Sequence, residues 1–151
     1  MDEPEGLART TTQLATTVVA AGLIAIGLLG FVPGVTSGVD DIAWAGPGTG
    51  ARMLGLMEVS VLHNVAHIAS GVIGLAMSRK LATAEMFLIA SGLVSVMLAV
   101  YGLVIQPETA SNFMSINYAS SWLHLVAGVV LVFLGVVLPR HDDGPTSATY
   151  R

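Results

Sequence analysis

Four long stretches of this chain contain no Asp, Glu, Lys or Arg, and they limit its fold more than any other feature of the sequence. They run from 14 to 32, 59 to 77, 86 to 105 and 119 to 138. A helix of about 20 apolar residues crosses a hydrocarbon core about 30 Å thick. Only 11% of the residues are charged, whereas soluble domains average about 25%. The sequence therefore predicts an all-α integral membrane protein, a bundle of four transmembrane helices.

The basic residues are distributed unevenly around these helices. Five of the six lie in the terminal segments or in the connection between the second and third helices: Arg9, Arg79, Lys80, Arg140 and Arg151. The other two connections contain only Arg52. Because Lys and Arg concentrate on the cytoplasmic side, we expect a multi-pass protein of the cell membrane with both termini in the cytoplasm. A helical domain of residues 13–139 would then separate an N-terminal tail (1–12) from a disordered C-terminal tail (140–151).

An internal repeat accompanies the helices. Placing the second stretch on the fourth aligns Met57 with Met114, Ser60 with Asn117, His67 with His124, and Gly71 with Gly128. Placing the first stretch on the third aligns Gly22 with Gly92. The second alignment needs a larger offset than the first, and a Gly-rich insertion near 34–50 accounts for the difference. The pattern predicts two tandem helical hairpins, related as parallel repeats by a pseudo-two-fold axis along the membrane normal.

Small and polar side chains form one stripe on each of the second and fourth helices. The stripes consist of Ser60, Asn64, His67 and Gly71, and of Asn117, Ser121, His124 and Gly128. Steps of three and four residues place such side chains on a single helical face. Gly and Ser let helices approach, and Asn and His hydrogen-bond across the interface for about 0.6 to 2 kcal/mol. We interpret both stripes as structural helix-packing surfaces.

His67 and His124 leave two further interpretations open. The repeat places them at equal depth, where two neutral imidazoles can ligate the iron of a haem b in an electron carrier. A small proton or ion conductor is the other alternative, although the four stretches contain no carboxylate. His63 lies nearer the membrane interface. We expect no cofactor, because helix packing accounts for both histidines. We also expect no metal ligands, because the chain has no Cys for a thiolate site and its loop carboxylates have the character of hydrated surface groups.

Several short motifs resemble a known family. They are Thr-Gln-Leu at 12–14, Gly-Phe-Val-Pro-Gly at 30–34, His-Asn-Val-Ala-His-Ile-Ala-Ser-Gly at 63–71, and Trp-Leu-His-Leu-Val-Ala-Gly at 122–128. Over residues 10–139 the chain is similar to the small bacterial membrane proteins of the DUF4383 family. This resemblance implies a four-helix membrane fold and brings no established activity. Ser60 and Ser120 stand where the family commonly has Asn and Asp, so fewer polar groups accompany the histidines here.

The residue pattern contains no recognisable catalytic arrangement. Neither the apolar stretches nor the connections pair a nucleophile with a base at a familiar spacing, so we expect no enzymatic activity. No basic stripe indicates nucleic-acid binding. The sequence favours a structural or accessory subunit whose partners are the lipid bilayer and either a larger membrane complex or further copies of the chain.

Overall fold

Four α-helices form most of the described chain. The computed structural model describes residues 10–138, and its helices are α1 (Thr11–Leu29), α2 (Val61–Met77), α3 (Leu81–Val104) and α4 (Tyr118–Val137). Three of them, α1, α3 and α4, are long and apolar enough to cross a membrane, and α2 is a shorter apolar helix of 17 residues. The predicted four-helix architecture is therefore confirmed. Apart from residues 10–12, the two predicted tails lie outside the described residues.

Two helices begin earlier than the charge-free stretches predict. α1 begins at Thr11 because Thr10 and Gln13 form a capping box. In it, Gln13 N donates to Thr10 Oγ1 (3.2 Å) and Thr10 N donates to Gln13 Oε1 (3.0 Å). α3 begins at Leu81 and continues through Glu85, which the criterion of an uncharged stretch had excluded. A charge near a helix end is compatible with helix geometry, so hydropathy locates the apolar segment rather than the helix ends.

The helices pack as two close pairs. α1 lies along α2, and α3 lies along α4, while contacts between the pairs are less extensive. Gly71 of α2 lies against α1, where an added Cβ would be 2.5 Å from Ala20 O. In the second pair Gly92 and Gly128 face each other. A Cβ added to Gly92 would lie 2.8 Å from Gly128 O, and a Cβ added to Gly128 would lie 2.7 Å from Gly92 O. Glycine at these positions allows the helix backbones to touch.

The outer surface of the bundle is apolar. On α4, for example, Val126, Val129 and Phe133 are 60%, 58% and 60% exposed. Soluble monomers rarely expose continuous apolar surface of this kind. The exposed faces of the helices therefore suit contact with lipid chains, in agreement with a location in a membrane.

One small β-sheet was not predicted. Its strands β1 (Thr36–Ser37), β2 (Arg52–Met53) and β3 (Met57–Glu58) pair antiparallel in that order within the α1–α2 connection, which also contains a 3-10 turn at Val39–Asp41. Leu54 and Gly55 turn the chain between β2 and β3 with positive φ angles of 52° and 70°. Strands of two residues are too short to show an alternation of polar and apolar residues. The all-α description therefore fits the fold, with one short sheet in addition.

The α1–α2 and α3–α4 connections join into one layer, here called the loop cap (residues 30–60 and 105–117). Gly46 N donates to Phe113 O (3.0 Å), and Ser115 Oγ donates to Gly46 O (2.6 Å). The cap leads directly into α2 and α4. It therefore covers the end of the bundle at which these two helices begin.

Candidate functional site

Three histidine side chains meet where the bundle joins the loop cap. His63 and His67 lie on α2, and His124 lies on α4. The ring centroids of His63 and His67 are 4.7 Å apart, and that of His124 is 5.4 Å and 5.9 Å from them. One ring nitrogen from each histidine lies within 4.8 Å of the other two. We call these residues the three-histidine cluster.

Helix geometry and matched N-caps bring the three rings together. His63 and His67 are four residues apart, so they share one face of α2, and their rings stack at an interplanar angle of 12°. Ser60 caps α2 and Asn117 caps α4, each through a side-chain oxygen that accepts from a backbone N–H three residues later. His67 and His124 each follow their cap by seven residues. The two helices therefore present these imidazoles at the same level.

Each imidazole donates a hydrogen bond from Nδ1 to a backbone carbonyl oxygen. His63 Nδ1 lies 3.1 Å from Met114 O, His67 Nδ1 lies 3.0 Å from His63 O, and His124 Nδ1 lies 2.8 Å from Ser120 O. A carbonyl oxygen only accepts, so Nδ1 carries the proton in all three rings. In a neutral imidazole, Nε2 then keeps its lone pair. The backbone thus selects the tautomer in which Nε2 of each ring keeps a lone pair.

The cluster borders a cavity of about 40 Å³ beneath the loop cap. His63 is buried, with 5% of its surface exposed, and the other two histidines are half-buried. Much of the remaining wall is apolar and includes Met53, Met57, Val59 and Leu123. A ligand bound beside the three rings would therefore be largely separated from water.

Glu58 lies between this cavity and the protein surface. It lines the cavity and also an open pocket of about 420 Å³, which Arg52, Gln106 and Glu108 share. Its Oε1 accepts a hydrogen bond from Arg52 Nη2 at 3.2 Å, an ion pair between neighbouring strands β2 and β3. The carboxylate is therefore already paired on the side that faces the open pocket.

Asn64 is a buried amide beside the cluster. It is 2% exposed, and its Nδ2 has no hydrogen-bond partner among the described residues. Its side chain contacts Gly30 at the end of α1, where an added Cβ would collide with the amide group. The residue therefore occupies the boundary between the histidines and the α1–α2 contact.

The cluster has the geometry of a metal site formed by imidazoles. Metal-bound histidines usually donate their second ring N–H to a carbonyl or carboxylate oxygen, as all three Nδ1 atoms do here. Nitrogens at tetrahedral positions about 2.0 Å from one ion lie about 3.3 Å apart. One ring nitrogen of each histidine lies within 4.8 Å of the other two, and the rings of His63 and His67, which stack at 12°, must rotate before their nitrogens reach that spacing.

The cavity leaves little room for a haem b ligated by His67 and His124. Two imidazoles on opposite faces of a haem iron have ring centres about 6.4 Å apart, because each nitrogen lies about 2.0 Å from the iron and the ring centre about 1.2 Å farther. The two centroids are 5.9 Å apart, which is close to that value. The adjoining cavity of about 40 Å³, however, is far smaller than a porphyrin. A haem at this position would require the surrounding side chains to move apart.

The other residues of the two predicted stripes occupy caps and helix contacts. Ser60 and Asn117 are the N-caps of α2 and α4. Asn117 also joins the two halves of the loop cap, because its Nδ2 donates to Leu56 O (2.8 Å). The remaining four stripe residues lie where helices meet: Asn64, Gly71, Ser121 and Gly128.

The sequence reasoning missed His63, which it placed nearer the membrane interface and outside any site. Only histidines that the repeat aligns with each other were considered as a pair at equal depth in the membrane. The residue aligned with His63 is Ser120. The available signal was the pair His63 and His67, since two histidines four residues apart on a helix can ligate one metal ion. The contribution of His124 depends on the approach of α4 and has no local signal.

A family model described as a domain of unknown function, DUF4383, matches residues 13–137. The chain belongs to the DUF4383 family. This match confirms the resemblance of the short motifs. Comparisons with curated proteins and with solved structures found no match. The side chains of this DUF4383 protein are therefore the basis on which a function can be proposed.

Proposed function

We propose that this DUF4383 protein is a multi-pass membrane protein that binds one transition-metal ion through Nε2 of His63, His67 and His124. The observation that carries the proposal is the direction of the three Nδ1–H groups. Each donates to a backbone carbonyl, so three Nε2 lone pairs remain for one ion. A cation bound in this cavity, much of whose wall is apolar, would accept these lone pairs.

The proposed ion has a structural rather than a catalytic role. Two ligands come from α2 and one from α4, helices that belong to different close pairs. Contacts between the pairs are less extensive than contacts within them. An ion bound to both helices would join the pairs beneath the loop cap and would add its binding energy to folding. Such a protein is suited to act as a non-enzymatic accessory subunit of a larger membrane complex, or as a homo-oligomer.

The proposed location is the cell membrane, with both termini in the cytoplasm. Support comes from the apolar exposed faces of the helices and from the basic residues, of which Arg79 and Lys80 lie in the connection between α2 and α3. This orientation places the loop cap and the three-histidine cluster at the outer side of the bilayer. Metal ions would then reach the cluster from outside the cytoplasm.

We also infer that the two close helix pairs are tandem repeats. Gly71 contacts Ala20 as Gly128 contacts Gly92, and Asn64 contacts Gly30 as Ser121 contacts Gly102. For α2 and α4 these matched contacts follow the alignment of His67 with His124 that the sequence predicts. For α1 and α3 they align Ala20, rather than Gly22, with Gly92. The contacts support this register, whereas apolar helix sequences align almost equally well at neighbouring offsets.

Metal binding by the purified protein tests this proposal. The full-length protein, extracted in detergent, stripped with a chelator and then exposed to zinc(II), cobalt(II) or copper, should retain one ion per chain. Replacing any of the three residues by Gln (His63→Gln, His67→Gln or His124→Gln) removes a ligand. The affinity should then fall by more than the roughly 10–100-fold that loss of a second-shell partner costs. Elemental analysis and competition with a chromogenic chelator provide the measurement.

A matched control removes a histidine elsewhere in the chain. His141→Gln replaces the fourth histidine, which lies outside the described residues, and we expect it to bind metal like the wild type. Elution of every variant as a single detergent-solubilised species would show that the fold is kept. Wild-type protein that binds no ion, or three cluster variants with wild-type affinity, would contradict the proposed site.

A further inference from the structure

Two methionine side chains border the same cavity as the three imidazoles. Met53 and Met57 are directly opposite each other on β2 and β3, so their side chains share one face of the sheet. Met53 is buried, with 7% of its surface exposed, and Met57 is half-buried. The thioether of methionine is a soft, neutral metal ligand. The cavity therefore combines nitrogen donors from the bundle with sulfur donors from the loop cap.

The charges around the cavity favour an ion with a single positive charge. The imidazoles and thioethers are all neutral, and Glu58, a carboxylate in the cavity wall, is already paired with Arg52 at 3.2 Å. The cost of removing an ion from water rises with the square of its charge, so a monovalent ion costs about a quarter as much as a divalent ion of the same size. Neutral donors in an apolar surrounding therefore favour a monovalent ion more than a site with carboxylate ligands would.

We propose that the bound ion is copper(I), held by His63, His67 and His124 with a thioether of the Met53–Met57 pair as the fourth ligand. This inference rests on the proposed metal site and adds the identity of the ion. Copper(I) is the soft ion that thioether ligands select. A zinc ion with three histidines commonly completes its shell with water, whereas the loop cap here contributes sulfur and apolar side chains.

The methionines also have a packing role, which the experiment must separate from ligation. Met53 packs with Ala51 and Val59 in the small hydrophobic core of the loop cap, and Met57 lies against the same core. Replacement of Met by Leu nearly conserves volume and apolar character, so it removes the sulfur with little disturbance of packing. Leucine variants therefore test the sulfur itself.

The experiment compares copper(I) and zinc(II) binding to the full-length protein in detergent, without oxygen and with chromogenic chelators as competitors. We expect one copper(I) per chain, bound more tightly than zinc(II), and X-ray absorption should detect sulfur about 2.3 Å from copper. In the double variant Met53→Leu/Met57→Leu the sulfur signal should disappear, and copper(I) affinity should fall about tenfold or more. Zinc(II) affinity should not change. Met97→Leu is the matched control, because Met97 is 62% exposed on α3.

The outcomes separate the identity of the ion from the existence of the site. Tighter binding of zinc(II) than of copper(I) would overturn the copper assignment but keep the three-histidine site. So would a double variant with unchanged copper(I) affinity. Wild-type protein that binds neither ion would contradict the proposed site itself. Copper(I) that stays bound with unchanged affinity in His67→Gln and His124→Gln would contradict both, since the ion would then lie elsewhere.

Discussion

Glycine and histidine meet opposite requirements in this bundle. Glycine removes side-chain volume where two helix backbones touch, as Gly92 and Gly128 do between α3 and α4. Histidine places a polar ring where little water reaches, and at His63 this is acceptable because Nδ1 donates to Met114 O. Single residues of these two types therefore determine both how closely the helices approach and what can bind between them.

At the residue scale, we predict that the glycine contact between α3 and α4 contributes strongly to stability. In Gly128→Ala the added Cβ would lie 2.7 Å from Gly92 O, so the helices must move apart. The free energy of unfolding in detergent should fall by about 1–3 kcal/mol. Gly22→Ala is the control, because no atom lies within 4 Å of its added Cβ and Ala favours helix. Equal stability of the two variants, measured by circular dichroism during denaturation, would contradict the close contact.

Three of the four helices begin at capping side chains rather than at changes in hydropathy. Thr10, Ser60 and Asn117 cap α1, α2 and α4 through side-chain oxygens that accept from the first turn. The caps of α2 and α4 also set the level at which their histidines enter the cluster. A change in a cap is therefore expected to affect both helix stability and the positions of the imidazoles.

At the element scale, Asn117→Ala and Asn117→Ser separate the cap of α4 from the other contacts of this residue. Asn117 Oδ1 accepts from Ser120 N (3.0 Å), and its Nδ2 donates to Leu56 O (2.8 Å). Serine can keep the first bond but not the second, and alanine loses both. We expect the free energy of unfolding of Asn117→Ala to be about 1 kcal/mol lower than that of Asn117→Ser. Identical unfolding curves for the two variants would indicate that the cap contributes nothing.

At the scale of the whole molecule, two close helix pairs share one loop cap and one cluster of imidazoles. Hydrogen bonds between the two connections hold the cap together, and the histidines extend this junction into the bundle. The end with the α2–α3 connection carries Arg79 and Lys80 instead. One end of the molecule therefore carries the loop cap and the histidines, and the other end carries basic residues. This difference allows the orientation in a membrane to be tested.

The absence of Cys from the chain makes labelling of single cysteines a direct test of orientation. Ser37 is an exposed residue of the loop cap, and Ala82 is an exposed residue at the start of α3. We expect Ser37→Cys to react with a membrane-impermeant maleimide in intact cells, and Ala82→Cys to react only after the cells are permeabilised, because the basic residues beside it stay in the cytoplasm. The reverse labelling pattern would overturn the proposed orientation.

The sequence by itself determined the four helices, the apolar exterior and the family. Each of these depends on local properties. A long uncharged stretch makes a helix suited to lipid wherever it lies in the fold. Each family motif between Gly30 and Gly128 is a short run of consecutive residues. The alignment of His67 with His124 was also visible, because the second and fourth helices carry the same spacing. The predicted starts of α1 and α3 were too late, since hydropathy reports neither the capping box of α1 nor a charged residue inside α3.

Only the tertiary structure decided which side chains meet. His63, His67 and His124 come together because two connections, one with an unpredicted sheet, join over the same end of the bundle, where His63 Nδ1 also donates to Met114 O. The residues that face each glycine were likewise visible only in the structure, where Gly71 meets Ala20 and Gly128 meets Gly92. The physical reason is that apolar helix faces turned toward lipid and toward protein have nearly the same composition. The sequence therefore specifies where the helices are, and packing decides which helices and side chains contact one another.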